Sequence, residues 1–234
     1  MVAADPKSFP AGDETVSKVI SQALAEKRTH LAENEVKQLM RDEGVPTTEF
    51  QYFHQLSEVA IDGLQFPCAL KVCSPKILHK TEVGGVLLGL ESRDALKKGF
   101  ETMSKKFPGE GFLVEPMYDA PVEIIIGLIN DASFGLTIMF GIGGIFTEIY
   151  KDVTFRVVPI KKDDAEEMIS EIKAAPILEG FRKIKVDRQG VVDLLMKISN
   201  LGTKYGKNID QMDLNPVFVS AKGVRVIDAK MILR

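Results

Sequence analysis

The sequence predicts an α+β fold, with helices packed on mainly antiparallel sheets. Several apolar runs of strand length follow one another closely after residue 111, and closely spaced strands favour antiparallel pairing. Amphipathic helical patterns occur in both halves of the chain, at residues 15–27, 33–43 and 190–201 among others. The length of 234 residues is enough for one large domain or two lobes.

The first half of the chain is predicted to be mixed. Helices are expected at residues 15–27, 33–43, 56–63 and 92–107, and strands at residues 67–73 and 86–90. Gly44 and Pro46 give the usual stop pattern after the second helix. Ser92 is a residue type that caps the N-terminus of a helix, and Pro108 with Gly109 ends that helix.

The second half is predicted to be rich in strands. Strands are expected at residues 111–117, 122–129, 136–140 and 153–160, helices at 163–173 and 190–201, and two closing strands at 212–220 and 224–233. The short turn at residues 221–223 predicts that the closing strands form a hairpin. No internal repeat interrupts this order.

Composition limits the classes of function. The net charge of −3 gives no overall electrostatic reason to bind nucleic acid or an acidic membrane. No apolar run approaches the length of about 20 residues that a membrane helix needs, and the first fourteen residues lack the apolar core of a signal peptide. We therefore expect a cytoplasmic protein. Cys68 and Cys73 lie too far apart on one predicted strand to form a disulfide, so we interpret them as packing residues.

Residues 66–90 carry the strongest indication of an anion site. Lys71 lies inside an apolar strand, where an ammonium group is costly unless it meets an anion. The alternative is that Lys71 reaches the surface or pairs with a carboxylate. His79 and Lys80 follow on a loop, and Gly84 and Gly85 precede the next strand. Backbone N–H groups of paired glycines can close over phosphate oxygens, although a lone Gly-Gly would be only a turn. The combination favours a polyphosphate site.

Acidic and amide side chains at the end of the chain indicate a metal site. Asp213, Asn215 and Asp228 are expected on neighbouring strands of the closing hairpin. Oxygen ligands of this kind suit Mg²⁺ when the ion also bridges substrate phosphates. The alternative is turn chemistry, because an Asn-Pro pair can simply end a strand.

Two further sets of residues are candidates for nucleotide binding. Glu115 and Glu123 occupy strand ends near a presumed hinge, where carboxylates can accept hydrogen bonds from ribose hydroxyls or an adenine amino group. The alternative for each is an ordinary ion pair. A glycine-rich loop contains Gly141, Gly143 and Gly144, and composition does not decide between a phosphate loop and a tight bend. Arg156 on the following strand is a further phosphate candidate.

Together these segments resemble the ATP-grasp domain. The segments are ALKV, ILHKTEVGGV, LVEPM, VEIIIG, FGIGGIFTEIYKD, DLNP and IDAK. More narrowly, the chain resembles the small β subunit of ADP-forming acetyl-CoA (acyl-CoA) synthetases, which are relatives of succinyl-CoA synthetase. The resemblance covers about residues 31–233, and its most specific parts are HKTEVGGV and FGIGGIFTEIYKD. It implies two α+β lobes, residues 1–113 and 114–234, that clamp ATP or ADP.

The resemblance also implies a role for each candidate residue. Those for nucleotide binding are Lys71 and Lys80 at the phosphates, Gly84 and Gly85 on the loop over them, Glu115, Pro116 and Met117 at adenine, and Glu123 at ribose. Asn215 and Asp228, with Asp213 as a further candidate, would hold Mg²⁺. His79 would relay phosphate from a phosphohistidine on a separate α subunit to ADP. Glu82 and Glu148 are both candidates to orient the imidazole of His79.

Some features lie outside this chain or depart from the family pattern. No strand is followed by a G-x-G-x-x-G fingerprint, so the resemblance implies a CoA-binding α partner, in an α2β2 assembly. Gln211 stands where an acidic residue is common, and Lys183 stands where a glycine is usual. Two other functions remain open at this stage. One is a succinyl-CoA ligase type of β subunit, and the other is a nucleotide-sensing module without chemistry.

Overall fold

The computed structural model describes residues 17–144 and 152–234, which form two antiparallel sheets. The strands are β1 (His30–Leu31), β2 (Gln51–Phe53), β3 (Cys68–Cys73), β4 (Val86–Leu90), β5 (Gly111–Pro116), β6 (Val122–Asp131), β7 (Gly135–Ile142), β8 (Val153–Val157), β9 (Ile209–Ser220), β10 (Gly223–Val226) and β11 (Ala229–Leu233). The smaller sheet has the order β2-β5-β3-β4. The larger sheet has the order β1-β11-β9-β6-β7-β8, and β10 pairs with β9. The predicted α+β class with antiparallel sheets is therefore confirmed.

Six α-helices pack on these sheets within the described residues. They are α1 (Lys18–Ala25), α2 (Glu33–Asp42), α3 (Arg93–Lys106), α4 (Lys162–Glu171), α5 (Ala175–Leu178) and α6 (Arg188–Tyr205). The predicted cap of α3 is confirmed, because the Ser92 hydroxyl accepts a hydrogen bond from the Ala95 N–H at 3.2 Å. None of the helices in the two described stretches is long and apolar enough to cross a membrane.

Two predicted elements differ from the structure. The helix expected at residues 56–63 is instead a pair of 3₁₀ turns, Leu56–Glu58 and Ile61–Gly63. Each of these short segments has a glutamine or alanine before its first residue and no run of apolar residues long enough for an amphipathic face. The last predicted strand is interrupted at Ile227 and Asp228, which separate β10 from β11. This interruption lies at the functional site described below.

The hydrophobic cores divide the chain differently from the predicted lobes. The core of the smaller sheet includes Phe53, Leu70 and Phe112, whereas α1 and α2 contribute to the core of the larger sheet through residues such as Ile20 and Val36. Strand β5 also continues across residue 113. The lobe boundary at 113/114 stays a prediction, and the packing indicates that the smaller sheet is inserted between α2 and β6.

Both cysteines are free and buried in the structure. Burial raises the pKa of the Cys68 thiol to about 11 and that of the Cys73 thiol to about 12. Since the thiolate is the reactive form, we expect neither residue to react with Ellman's reagent at pH 8 in the native protein. Two thiols are expected to react after unfolding in guanidinium chloride. Rapid reaction of either thiol in the native state would contradict the packing role.

Candidate functional site

Six charged side chains meet where the smaller sheet contacts α2 and the larger sheet. We call this group the charge cluster, and its members are Glu33, Lys37, Lys71, Lys80, Glu115 and Asp228. Three are cations and three are anions, so each buried charge has partners of opposite sign. Such pairing is what makes ionised groups tolerable in a protein interior.

Lys71 shows why a lysine occurs inside the apolar strand β3. Its ammonium group lies 2.6 Å from the Glu115 carboxylate and 3.0 Å from that of Glu33. It also donates to the backbone carbonyl of Ile227 at 3.1 Å. Burial alone would lower the pKa of Lys71, but Glu33, Asp228 and Glu115 outweigh it, so the pKa is raised and Lys71 is a permanent cation. The structure therefore shows the alternative in which Lys71 pairs with carboxylates.

Glu33 lies at the centre of the charge cluster. One carboxylate oxygen contacts Lys37 at 2.8 Å and Lys71 at 3.0 Å, and the other accepts a hydrogen bond from Lys80. Burial raises the pKa of Glu33, but the charges of Lys37, Lys71 and Lys80 prevail and hold it well below its usual range. Glu33 is therefore ionised at neutral pH, and its side chain is only 2% exposed.

Asp228 and Asn215 come together as the sequence predicts. The break between β10 and β11 turns Asp228 towards Lys80, whose ammonium group lies 2.7 Å from Oδ1. The Asn215 N–H donates to the Asp228 carbonyl at 3.2 Å, so the two residues are direct neighbours. Burial and the nearby Glu33 raise the pKa of Asp228, and Lys71 and Lys80 oppose this shift.

His79 lies on the loop between β3 and β4, with a side chain that is 65% exposed. It lines a cavity of about 270 Å³, which we call the histidine cavity, together with Leu78, Gln211, Asp213, Lys230 and Ile232. The last four residues belong to β9 and β11, where Asp213 lies opposite Lys230 and Gln211 opposite Ile232. Burial raises the pKa of Asp213, although Lys230 opposes this effect.

The two candidates for orienting His79 now differ. The Glu82 carboxylate lies 3.4 Å from Nδ1 of His79. Glu148 belongs to residues 145–151 and lies outside the described residues. Gln211, which stands where an acidic residue is common in the family, lines the histidine cavity. It supplies an amide where a carboxylate would add negative charge beside Asp213.

Gly84 and Gly85 shape the loop that carries His79. Gly84 has a positive φ of 62°. A Cβ on Gly85 would lie 2.5 Å from Cγ1 of Val72, so only glycine lets this loop lie against β3. The Gly84 N–H donates to the Thr81 carbonyl and the Gly85 N–H to that of Lys80. Both amides are thus used within the loop, and their contact with phosphate stays a prediction.

The predicted hinge at Glu115–Met117 contains both buried and accessible groups. The Glu115 carboxylate is 2% exposed and is bound by Lys37, Lys71 and the hydroxyl of Thr48, and its contact with adenine stays a prediction. Pro116 ends β5 opposite Cys68, and Met117, which is 39% exposed, donates its N–H to the Pro67 carbonyl at 2.9 Å. Accessible contacts at this hinge therefore come from the backbone and from Met117.

A second cavity, which we call the hinge cavity, begins just after Met117. Its volume is about 330 Å³, and it is lined by Tyr118, Asp119, Ala120, Phe218, Ser220, Lys222, Gly223, Val224 and Arg225. The guanidinium of Arg225 lies 4.2 Å from the centre of the Tyr118 ring. Phe218 lies opposite Glu123 in the register of β9 and β6. Residues opposite each other in antiparallel strands share a face, so the hinge cavity and Glu123 lie on the same face of the larger sheet.

The glycine-rich loop lies next to Glu123. The Gly143 N–H donates to the Glu123 carbonyl at 2.7 Å, and a Cβ on Gly144 would lie 3.5 Å from a carboxylate oxygen of Glu123. Gly141 is part of β7 and pairs with Ile125 and Val153. The structure therefore brings Glu123 and the start of this loop together, a proximity that the sequence does not predict.

Arg156 is not part of this group. It lies opposite Ile138, whose side chain is in the core, so it points to the helix-covered face of the larger sheet. Its guanidinium contacts Glu171 at 2.6 Å and Glu167 at 3.4 Å, both on α4. Arg156 therefore occurs among apolar residues of an edge strand because it forms an ion pair between this strand and the helix.

Sequence reasoning missed Glu33 and Lys37. Both lie on the buried face of α2 with Val36 and Met40, and they form an ion pair at a spacing of four residues. A charged pair on an apolar face is the signal that could have identified them, because a solvated pair would lie on the opposite face of the helix. Their partners, Lys71 and Glu115, are distant in sequence and could not be inferred from α2 alone.

No cluster of three or more His, Cys, Asp or Glu side chains that could hold a metal ion occurs in residues 17–144 and 152–234. This is compatible with the predicted ligand set, in which Asn215 supplies an amide oxygen and substrate phosphates complete the coordination. Asp228 has a side chain that is 21% exposed, and Lys80 and the Ala229 N–H both contact its Oδ1.

Two antiparallel sheets with paired lysines at their junction, an exposed histidine and a glycine loop are features compatible with a domain that binds nucleotide phosphates. Comparison with known proteins agrees. The profile of a family described as an ATP-grasp domain matches residues 22–233, and the chain belongs to this family.

Within that family the chain belongs with the β subunits of ADP-forming acetate–CoA ligases. It is 42% identical over 229 residues to acetate–CoA ligase [ADP-forming] II subunit beta of Pyrococcus furiosus, covering 93% of this chain and 97% of that protein. The crystal structure of PH1788 from Pyrococcus horikoshii is 41% identical with a TM-score of 0.87, covering 93% and 97% of the two chains.

A third comparison concerns a structure with ligands. Acetyl-coenzyme A synthetase 1 of Ca. Korarchaeum cryptofilum is 38% identical, with a TM-score of 0.81 and coverage of 92% of this chain and 98% of that chain. That structure is a complex with coenzyme A and Mg-AMPPCP, and its phosphohistidine segment points towards the nucleotide-binding site.

Proposed function

We propose that this chain is the nucleotide-binding β subunit of an ADP-forming acyl-CoA synthetase, with acetyl-CoA as the first substrate to test. The overall reaction is acyl-CoA + ADP + phosphate = acid + ATP + CoA. One observation carries the proposal. The exposed His79 shares its cavity with the cation Lys230, so a nucleophile and a charge that neutralises phosphate lie together.

The order of residues along β9 supports this function. Gln211 and Asp213 lie at the histidine cavity, Asn215 lies next to Asp228, and Phe218 lies at the hinge cavity. A nucleotide bound along this strand would place its phosphates near His79 and its base near Met117 and the hinge cavity. Glu123, beside Phe218 and the glycine loop, is then at the position of the ribose.

The chemistry assigns each group a task. A nitrogen of neutral His79 attacks the phosphorus of the partner's phosphohistidine, and the partner's imidazole leaves. A terminal oxygen of ADP then attacks the phosphorus on His79, and the imidazole of His79 leaves as ATP forms. Phosphoryl transfer needs mainly positioning and neutralisation of charge, and Lys230 is the cation that lines the cavity with His79. The Glu82 carboxylate, 3.4 Å from Nδ1, is the described group best placed to orient the ring.

Mg²⁺ is the divalent cation that we propose for this site. Asp228 and Asn215 would hold it, with Asp213, two residues before Asn215 on β9, as a further candidate. This donor set of hard oxygen atoms fits a cation that shares its coordination with nucleotide phosphates. When bound, the ion would neutralise charge on those phosphates. The support from a known protein is the Mg-AMPPCP complex of the Korarchaeum enzyme.

We also propose the partner and the compartment. The P. furiosus relative is named as a β subunit, which implies a separate partner subunit for that protein. An α subunit that binds CoA and carries the first phosphohistidine, in an α2β2 assembly, would complete the reaction. A cytoplasmic location agrees with the predicted sequence features. A succinyl-CoA ligase type of activity and a nucleotide sensor are the other functions that the test should distinguish.

The test is phosphorylation of the chain by γ-labelled ATP with Mg²⁺. We expect acid-labile phosphate on His79, located by mass spectrometry, and its loss in Asp228→Asn because the variant lacks a metal-binding carboxylate. The reaction is run first with the chain alone and then with the α subunit added. Nucleotide binding without label in both conditions would support a sensor and contradict the proposal. A screen of acetate against succinate in the complete enzyme then identifies the acid.

A further inference from the structure

Lys80 is buried although it follows the exposed His79 directly. Its side chain is 6% exposed, and its ammonium group is held between Glu33 and Asp228. Glu33 belongs to α2 and Asp228 lies in the break between β10 and β11. Helix α2 and both of these strands contribute residues to the core of the larger sheet. The loop that carries His79 belongs to the smaller sheet. Lys80 thus connects this loop to the other side of the site.

Glu33 is a larger share of the partners that hold Lys80 in place than of those that hold Lys71. Lys71 also contacts Glu115 at 2.6 Å and the Ile227 carbonyl at 3.1 Å, so it keeps two partners when Glu33 is neutral. Lys80 has only one other carboxylate in the described structure, that of Asp228. Loss of the Glu33 charge should therefore release Lys80 and the adjacent His79 while Lys71 stays in place.

We infer that Glu33 is a positioning residue for His79, and that it acts by anchoring Lys80. The inference rests on the proposed function and adds a role to it. In this arrangement Lys80 is an anchor between the two sides of the site, and Lys71 is held independently by Glu115 and the Ile227 carbonyl. A loosened loop would misplace the reacting nitrogen of His79, and displacements of about 1 Å can cost roughly a hundredfold in rate.

The test uses Glu33→Gln combined with Lys37→Met. Glu33→Gln alone leaves three lysines facing two carboxylates and can fail to fold. The double variant restores the balance, because Lys71 and Lys80 then face Glu115 and Asp228. Glu35→Gln is the matched control, since Glu35 is on the same helix but pairs with Arg28 at 2.8 Å. All proteins are studied in complex with the α subunit.

Two quantities are measured for each protein. One is the initial rate at which γ-labelled ATP with Mg²⁺ labels His79, and the other is the dissociation constant of Mg-AMPPCP. In the double variant we expect the rate to fall by about a hundredfold. The dissociation constant should change by less than about threefold, whereas a loss of about 1.4 kcal/mol in binding free energy would raise it tenfold. Glu35→Gln should match the unsubstituted protein in both.

The outcomes separate the inference from the proposed function. An unchanged labelling rate in the double variant would overturn the positioning role. Equal losses of rate and affinity would also overturn it, because they would show a general disturbance of the nucleotide site. No label on His79 in the unsubstituted complex would overturn the proposed function and the inference with it.

Discussion

Replacing His79 by asparagine is expected to abolish phosphoryl transfer while nucleotide binding and stability remain normal. An asparagine amide cannot act as the nucleophile, and loss of a catalytic nucleophile typically lowers kcat by about a thousandfold or more. The side chain of His79 is 65% exposed and packs against little, so its loss should not affect folding. The measurement is turnover of acetyl-CoA, ADP and phosphate by the complete enzyme, together with the dissociation constant of Mg-AMPPCP.

His54 provides a matched control for this experiment. It is also an exposed histidine, and its Nε2 lies 3.1 Å from the Tyr52 hydroxyl at the far side of the smaller sheet. His54→Asn should keep full turnover, because the hydrogen-bond partners of His54 in the described structure are Tyr52 and Glu58, which lie outside the candidate site. If His79→Asn kept more than about a tenth of the activity, a relay through this histidine would be wrong.

Much of the fold could be predicted because its patterns are local. Apolar runs of strand length predict β6 and β7, and the 3.6-residue period of α6 predicts a helix that the structure extends to Arg188–Tyr205. The segment at 56–63 and the end of the chain were predicted less well. The interruption at Ile227 and Asp228 depends on contacts with Lys71 and Lys80, which lie about 150 residues earlier and leave no local pattern.

The candidate site shows the same division. His79, Lys71 and Asp228 could be selected from the sequence because each is a reactive or charged residue in an unusual local setting. Their contacts in the structure depend on partners that local patterns do not identify. Glu115 is an example, since its strand-end position predicts a nucleotide contact, whereas the structure pairs it with Lys37 and Lys71. Arg156 is another, because α4 supplies its carboxylate partners.

Replacing Lys37 by methionine is expected to cause a large loss of stability. The ammonium group of Lys37 is inaccessible to solvent and lies 2.8 Å from Glu33 and 2.6 Å from Glu115. Its loss leaves three carboxylates facing two lysines in a buried site. Removing one partner of a buried ion pair costs about 3–5 kcal/mol, so we expect a decrease of that size in the free energy of unfolding. Urea denaturation followed by circular dichroism measures it.

A second substitution distinguishes charge from packing as the cause. In Lys37→Met combined with Glu115→Gln, Lys71 and Lys80 face Glu33 and Asp228, and the cluster is balanced again. If uncompensated charge causes the loss, this double variant should be more stable than Lys37→Met alone, despite having two substitutions. Lys204→Met is the surface control. Lys204 pairs with Glu43 at 2.7 Å but is 42% exposed, so its replacement should cost no more than about 1 kcal/mol. A double variant less stable than Lys37→Met would show that the hydrogen bonds of Glu115, and not the charge balance, stabilise the junction between the two sheets.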